Sequence, residues 1–133
     1  IKDFNGAIAD FTNVIKLEDS NFMAYYRRGN LYFDQKKYRE AVADYTAVIK
    51  YDKNITAACF NRALAYSELE DNQSALNDYT TVISKDPNPA MAYYNRGLLK
   101  IKLNDKTGAC IDLKKAEELK YEKAAAAVIQ HCQ

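Results

Sequence analysis

The sequence predicts an all-α fold made of repeated helix pairs, and three observations lead there. Laid over itself with a shift of 34 residues, the 133-residue chain stacks Ala7, Ala41, Ala75 and Ala109 in one column and Asp10, Asp44, Asp78 and Asp112 in another. Further columns are Phe11, Tyr45, Tyr79 and Leu113; Val14, Val48, Val82 and Ala116; Arg28, Arg62 and Arg96; and the small residues Gly29, Ala63 and Gly97. A fixed period of this length marks a repeat array. Inside one period the apolar steps are three and four, as in Tyr25, Gly29 and Tyr32 and then Ala41, Tyr45 and Val48, which is the spacing of helical faces. Finally, 4 Gly and 2 Pro are too few for the turns of an all-β or loop-rich chain of this size.

Eight helices are expected, near 3–17, 22–35, 38–51, 56–69, 72–84, 90–103, 106–119 and 122–132. The first, Asp3 to Leu17, carries the columns of a second helix and so lacks its own first-helix partner. Ser20 or Asn21 suits the cap of the helix opening at Phe22. Lys36-Lys37, Glu70-Asp71-Asn72 and Asn104-Asp105 divide the helices within periods, and Asp52-Lys53-Asn54 and Asp86-Pro87-Asn88-Pro89 divide the periods. Asn88 is expected to cap the helix in which Pro89 takes the first position, where a missing N–H costs nothing. The last helix, with Ala124 to Ala127 and Val128, is half a unit and is expected to close the array.

Composition excludes several functions. With 19 Lys and Arg against 18 Asp and Glu the formal net charge is +1, which gives no support to nucleic-acid binding. The longest apolar run, Ala124 to Ile129, is far below the roughly 20 residues of a membrane-spanning helix. Three cysteines (Cys59, Cys110, Cys132) and one histidine (His131), without CxxC or HxxxH spacing, do not make an ordinary zinc site. No glycine-rich phosphate loop is present, and the nucleophiles are scattered over different helices, so neither catalysis nor a cofactor is expected. Cys110 and Cys132 fall where antiparallel packing brings two helix ends together, and are either a disulfide or two half-buried thiols. A disulfide would favour an exported location. Beginning at Ile1, the sequence reads as an excerpt or a processed form, and leaves the compartment open between cytoplasm and export.

A helix-turn-helix unit of 34 residues with these columns resembles the tetratricopeptide repeat. Counted from Phe22, Thr56 and Ala90, the small residue of repeat position 8 falls on Gly29, Ala63 and Gly97, the alanine of position 20 on Ala41, Ala75 and Ala109, and the aromatic of position 24 on Tyr45 and Tyr79, with Leu113 last. The proline of position 32 appears only as Pro87. The resemblance covers the chain as one domain, 1–133: a half repeat (1–21), three repeats (22–55, 56–89, 90–123) and a capping helix (124–133), read as the C-terminal part of a longer array. It implies a right-handed α-solenoid of antiparallel helix pairs.

Repeat position 7, usually apolar in this family, carries Arg28, Arg62 and Arg96, and position 23 carries the aspartates. Buried charges need partners. Pairing within a repeat (Arg28 with Asp44, Arg62 with Asp78, Arg96 with Asp112) competes with pairing between repeats (Asp10 with Arg28, Asp44 with Arg62, Asp78 with Arg96), and helical angles favour the second. At position 11 the third repeat has Lys100, whose ammonium is expected to reach water over a buried stem.

Helical angles put positions 2, 5, 6, 9, 12 and 13 on the groove face. This gives Met23, Tyr26, Arg27, Asn30, Phe33 and Asp34; then Ala57, Phe60, Asn61, Leu64, Ser67 and Glu68; then Met91, Tyr94, Asn95, Leu98, Ile101 and Lys102. A surface so apolar suits an apolar or amphipathic peptide or helix, with Asn30, Asn61 and Asn95 bonding its backbone; the competing reading is packing among first helices. The expected function is a noncatalytic protein-interaction scaffold, with a spacer or self-association module, joining copies through the N-terminal face, as the alternative. In family members that clamp a chaperone's C-terminal carboxylate, five groove positions hold three cations and two asparagines. Here they hold Tyr26, Asn30, Asn61, Met91 and Asn95, so no clamp is expected.

Overall fold

The computed structural model describes residues 3–133, and every regular element among them is an α-helix. In order these are α1 (Phe4–Leu17), α2 (Phe22–Asp34), α3 (Tyr38–Tyr51), α4 (Thr56–Glu68), α5 (Asn72–Lys85), α6 (Ala90–Lys102), α7 (Lys106–Glu118) and α8 (Ala124–His131). The expected bounds hold to within two residues. Asn21 caps α2, its side chain accepting from the Ala24 N–H at 3.0 Å. Pro89 is not the first helical residue but the cap itself: α6 starts at Ala90, and the Pro89 carbonyl accepts from the Tyr93 N–H at 3.0 Å. A cap residue needs no N–H of its own, so proline fits one place earlier than expected.

Within-period turns share one device. Lys36, Glu70 and Asn104 adopt left-handed backbone (φ 60°, 60° and 64°). The next N–H then reaches back to the first helix, Lys37 to Tyr32, Asp71 to Tyr66 and Asp105 to Lys100, at 2.8 to 2.9 Å. This double closure satisfies helix-end carbonyls and reverses the chain. Lys120 (φ 64°) does the same after α7.

The chain forms two compact units, the first ending at Ala75 and the second running from Leu76 to Gln133. In the first, α1 packs on α2, α2 on α3 and α3 on α4; in the second, α6 packs on α7 and α7 on α8. From α2 onward much of the core comes from the columns read from the sequence. Ala41, Tyr45, Val48, Ala63, Ala109, Leu113 and Ala116 are fully buried or nearly so. Small residues at position 8 are required by contact. A Cβ on Gly29 would stand 3.0 Å from the Tyr45 ring and 3.2 Å from the Asp44 Cβ, and one on Gly97 would stand 2.9 Å from Leu113.

That close approach also decides the ion pairs, and it corrects the between-repeat ladder. Arg28 donates through Nε and Nη2 to both oxygens of Asp44 at 2.9 and 2.8 Å, and Arg96 does the same to Asp112 at 2.8 and 2.7 Å. Arg28 and Arg96 thus take the aspartate of their own repeat. Asp10 is exposed and does not hold Arg28. The reason is the seam: a Cβ on Gly29, the residue directly after Arg28, would stand 3.2 Å from the Asp44 Cβ, so position 23 lies beside the arginine of its own repeat. Asp44, Asp78 and Asp112 are all buried. Arginine does tie successive repeats, but through a threonine. Nη1 of Arg28, Arg62 and Arg96 donates to the Oγ1 of Thr12, Thr46 and Thr80 at 3.1, 3.0 and 3.0 Å. Aromatic rings flank the guanidinium, Tyr25 and Tyr32 at 5.7 Å from Arg28, Tyr66 at 5.7 Å from Arg62 and Tyr93 at 5.6 Å from Arg96. Lys100 does not reach for water; its ammonium sits 2.9 Å from Asp112. Hydrogen bonding to the paired aspartate raises the pKa of Arg28 and of Arg96 against the opposing pull of burial.

Cys110 and Cys132 are joined as a disulfide, with Cα atoms 5.6 Å apart, fastening the end of α8 to α7. Cys59 is buried in α4. No helix among the described residues is long and apolar enough to cross a membrane.

Candidate functional site

Helical phase sends the first-helix residues not used against α3 or α7 outward, and none of the expected groove residues is buried. In the first unit Asn30, Phe33, Asp34, Asn61 and Leu64 converge on one spot between α2 and α4, while Met23, Tyr26, Arg27, Phe60 and Glu68 lie outside it. A cavity of about 220 Å³ is lined by Asn30, Phe33, Asp34, Tyr45, Asn61 and Leu64. Phe33 is fixed by an edge-on contact with Tyr38, ring centres 5.2 Å apart. The Tyr26 ring leans on that of Tyr45 at 6.1 Å.

A polar network lies under this cavity. Tyr45 donates its hydroxyl to Asn30 Oδ1 at 2.6 Å, and Asn61 donates from Nδ2 to Asn30 Oδ1 and to the Tyr26 hydroxyl, each at 3.2 Å. Burial raises the pKa of the Tyr45 hydroxyl, with the negative charges of Asp34 and Asp44 adding to the effect. Tyr45 therefore stays a neutral donor. The two asparagines expected to meet a peptide directly are thus partly engaged with each other and with tyrosines. Asn30 keeps its Nδ2 donors and Asn61 its Oδ1 acceptor for a partner.

The second unit has its own first-helix face on α6. Met91 is exposed, and Tyr94, Asn95, Leu98 and Ile101 are half-buried. Tyr94 packs on Tyr121, ring centres 4.9 Å apart. On α2 and α4, Met23 and Arg27 are exposed and Phe60 and Leu64 half-buried.

Sequence reasoning missed two features. The column pattern marks Tyr45 only as core, yet its hydroxyl makes the shortest hydrogen bond given for this network, 2.6 Å to Asn30; a phenol among alanines and valines is the available signal. Thr12, Thr46 and Thr80 recur at 34 residues, two after the aspartate column, and were passed over because an exposed threonine carries no sign of its partner. Among the described residues no group of three His, Cys, Asp or Glu side chains is placed to hold a metal ion.

Comparison with known proteins follows the same geometry. A tetratricopeptide repeat model matches residues 22–55, and a second model of that description matches 60–129. No curated protein sequence matches. A crystal structure of MamA superposes with a TM-score of 0.86 at 23% identity, over 89% of this chain and 69% of that one, a likeness of fold. A tetratricopeptide repeat protein from Parabacteroides merdae gives 0.85 at 30% identity, over 92% of this chain and 50% of that one. The first such domain of Spaghetti (RPAP3), bound to the HSP90 peptide SRMEEVD, gives 0.78 at 27% identity, over 84% and 90%. This chain therefore spans half of the Parabacteroides protein and about two-thirds of the MamA chain.

Proposed function

The chain belongs to the tetratricopeptide repeat family, and on that premise we propose that it is a noncatalytic protein-interaction scaffold. Residues 1–133, taken as one domain of a half repeat, three repeats and a capping helix, offer the outward faces of first helices to a peptide or helix. The observation that carries this reading is the α2–α4 cavity. It joins apolar walls from Phe33 and Leu64 to a donor and an acceptor on Asn30 and Asn61, the pair that a peptide unit needs. The similar RPAP3 domain holds a peptide, which supports this class of ligand.

The ligand is apolar or amphipathic rather than acidic. Met23, Tyr26, Phe33, Phe60 and Leu64 on the first unit, and Met91, Tyr94, Leu98 and Ile101 on the second, outnumber the charged Arg27, Asp34, Glu68 and Lys102. Tyr26, Met91 and Asn95 stand where a carboxylate clamp would have cations. The disulfide favours an oxidising compartment over a reducing one.

The test is calorimetric titration with amphipathic peptides. Saturable binding is expected, weakened at least tenfold in Tyr26→Ala and Phe60→Glu variants that melt near the parent temperature. Absence of binding, with both variants strongly destabilised, would assign these side chains to packing instead.

One observation favours a second reading as a spacer or self-association module: α1 buries none of its residues. Sedimentation distinguishes the two, since a monomer that binds peptide fits only the first.

A further inference from the structure

Of the side chains that line the α2–α4 cavity, Asp34 alone carries a formal charge. Tyr45 stays neutral, because burial first and then neighbouring charges, that of Asp34 among them, raise its pKa. Among the described residues Asp34 makes no ion pair and no side-chain hydrogen bond. Its place in the helix does not favour the charge either. Asp34 is the last residue of α2, whose final turn has no basic residue, and the carbonyl end of a helix already carries negative potential. At the same repeat position α6 ends on Lys102, the favourable sign. The other charges on this face of the first unit, Arg27 and Glu68, are exposed and lie outside the cavity.

Hydrogen bonds within the site leave it short of donors. The Tyr45 proton goes to Asn30 Oδ1, and Asn61 Nδ2 is shared between Asn30 Oδ1 and the Tyr26 hydroxyl. What remains among the lining groups is one donor, Asn30 Nδ2, against three acceptors: the Asp34 carboxylate, Asn61 Oδ1 and the Tyr45 oxygen. A negative cavity rich in acceptors is matched by a cation with several N–H groups. Guanidinium carries five in one plane, sheds water more readily than an ammonium, and lies flat against a ring such as Phe33. The ring is already held in place by Tyr38. The cavity lies between α2 and α4, inside the array, so its walls do not depend on what precedes or follows the chain.

We propose that the α2–α4 cavity is an arginine subsite, in which an amphipathic peptide of a partner protein sets a guanidinium on Asp34 and an adjacent apolar side chain against Leu64. Asn30 Nδ2 and Asn61 Oδ1 stay with the peptide backbone. The inference rests on the peptide-binding reading above and adds the charge that the peptide brings.

The probes are three fluorescein-labelled amphipathic peptides, identical except at one residue beside a leucine, which is arginine, citrulline or glutamate. Each is titrated with the whole chain and read by anisotropy. Citrulline keeps the shape of arginine without its charge. Saturable binding is expected in the order arginine, citrulline, glutamate, with arginine at least tenfold ahead of citrulline at low salt and the gap narrowing as salt is added. Asp34→Asn should reduce that preference to about threefold or less. Asp34 is exposed, so the variant should melt as the parent does, which separates a lost contact from a lost fold. Absence of saturation with all three peptides would overturn the peptide-binding reading and this inference with it. Equal affinity for the three would overturn this inference alone, as would an arginine preference that survives Asp34→Asn, whether or not Glu68→Gln removes it.

Discussion

Asp112 holds two cations, Arg96 through both oxygens and Lys100 at 2.9 Å, with its side chain 2% exposed. Asparagine there leaves two part-buried cations facing a neutral amide, and Asp112→Asn should cost about 3–5 kcal/mol in urea unfolding. Asp10→Asn, in the same column but exposed, should stay within about 0.5 kcal/mol. Tyr45 gives the pH dependence. Its folded pKa is raised by burial, so above pH ~10 the unfolded chain releases a proton that the folded one keeps. Fewer protons on the unfolded state means stability falls as pH rises, and the contribution is complete only below that point. Tyr45→Phe should flatten the decline in melting temperature between pH 9 and 11, while losing about 1 kcal/mol at neutral pH with the bond to Asn30.

At the level of elements, the turns and the terminal helix each make a prediction. Lys36 sits at φ 60°, where an L side chain is strained and glycine is not. Lys36→Gly should therefore raise stability by about 1 kcal/mol, read as a higher urea midpoint with an unchanged slope. The short α8 is held by packing on α7 and by the disulfide, which closes a loop of 22 residues. On a chain-entropy basis that closure is worth about 3 kcal/mol. Dithiothreitol should lower the melting temperature of the parent and speed amide exchange across Ala124–His131, and it should leave a Cys110→Ala, Cys132→Ala double variant unaffected.

For the molecule as a whole, function turns on which charges remain after folding. Arg28 and Arg96 are consumed in seams, so these two do not contribute cations to a binding face. An acidic chaperone-tail peptide such as SRMEEVD, the ligand of the similar RPAP3 domain, should accordingly bind at least a hundredfold more weakly here than an amphipathic peptide does. Tight binding of that peptide, weakening steeply with salt, would reverse the ligand preference proposed above.

The 34-residue period by itself determined the helices, their turns and the buried columns, because steric demands at positions 8, 20 and 24 repeat with the backbone and leave the same residues at each turn of the array. It also determined that the arginines and aspartates belong together. Which aspartate Arg28 and Arg96 take was decided only by the seam, where the helices come so close that a Cβ on Gly29 would stand 3.2 Å from the Asp44 Cβ, an approach that helical angles alone do not predict. Tertiary structure likewise decided the threonine ties, the Lys100 contact with Asp112, the shared hydrogen bonds of Asn30 and Asn61, and the Cys110–Cys132 bond. Each depends on side chains reaching across helices over about 3 Å, whereas a sequence pattern fixes only the face of the helix from which a side chain sets out.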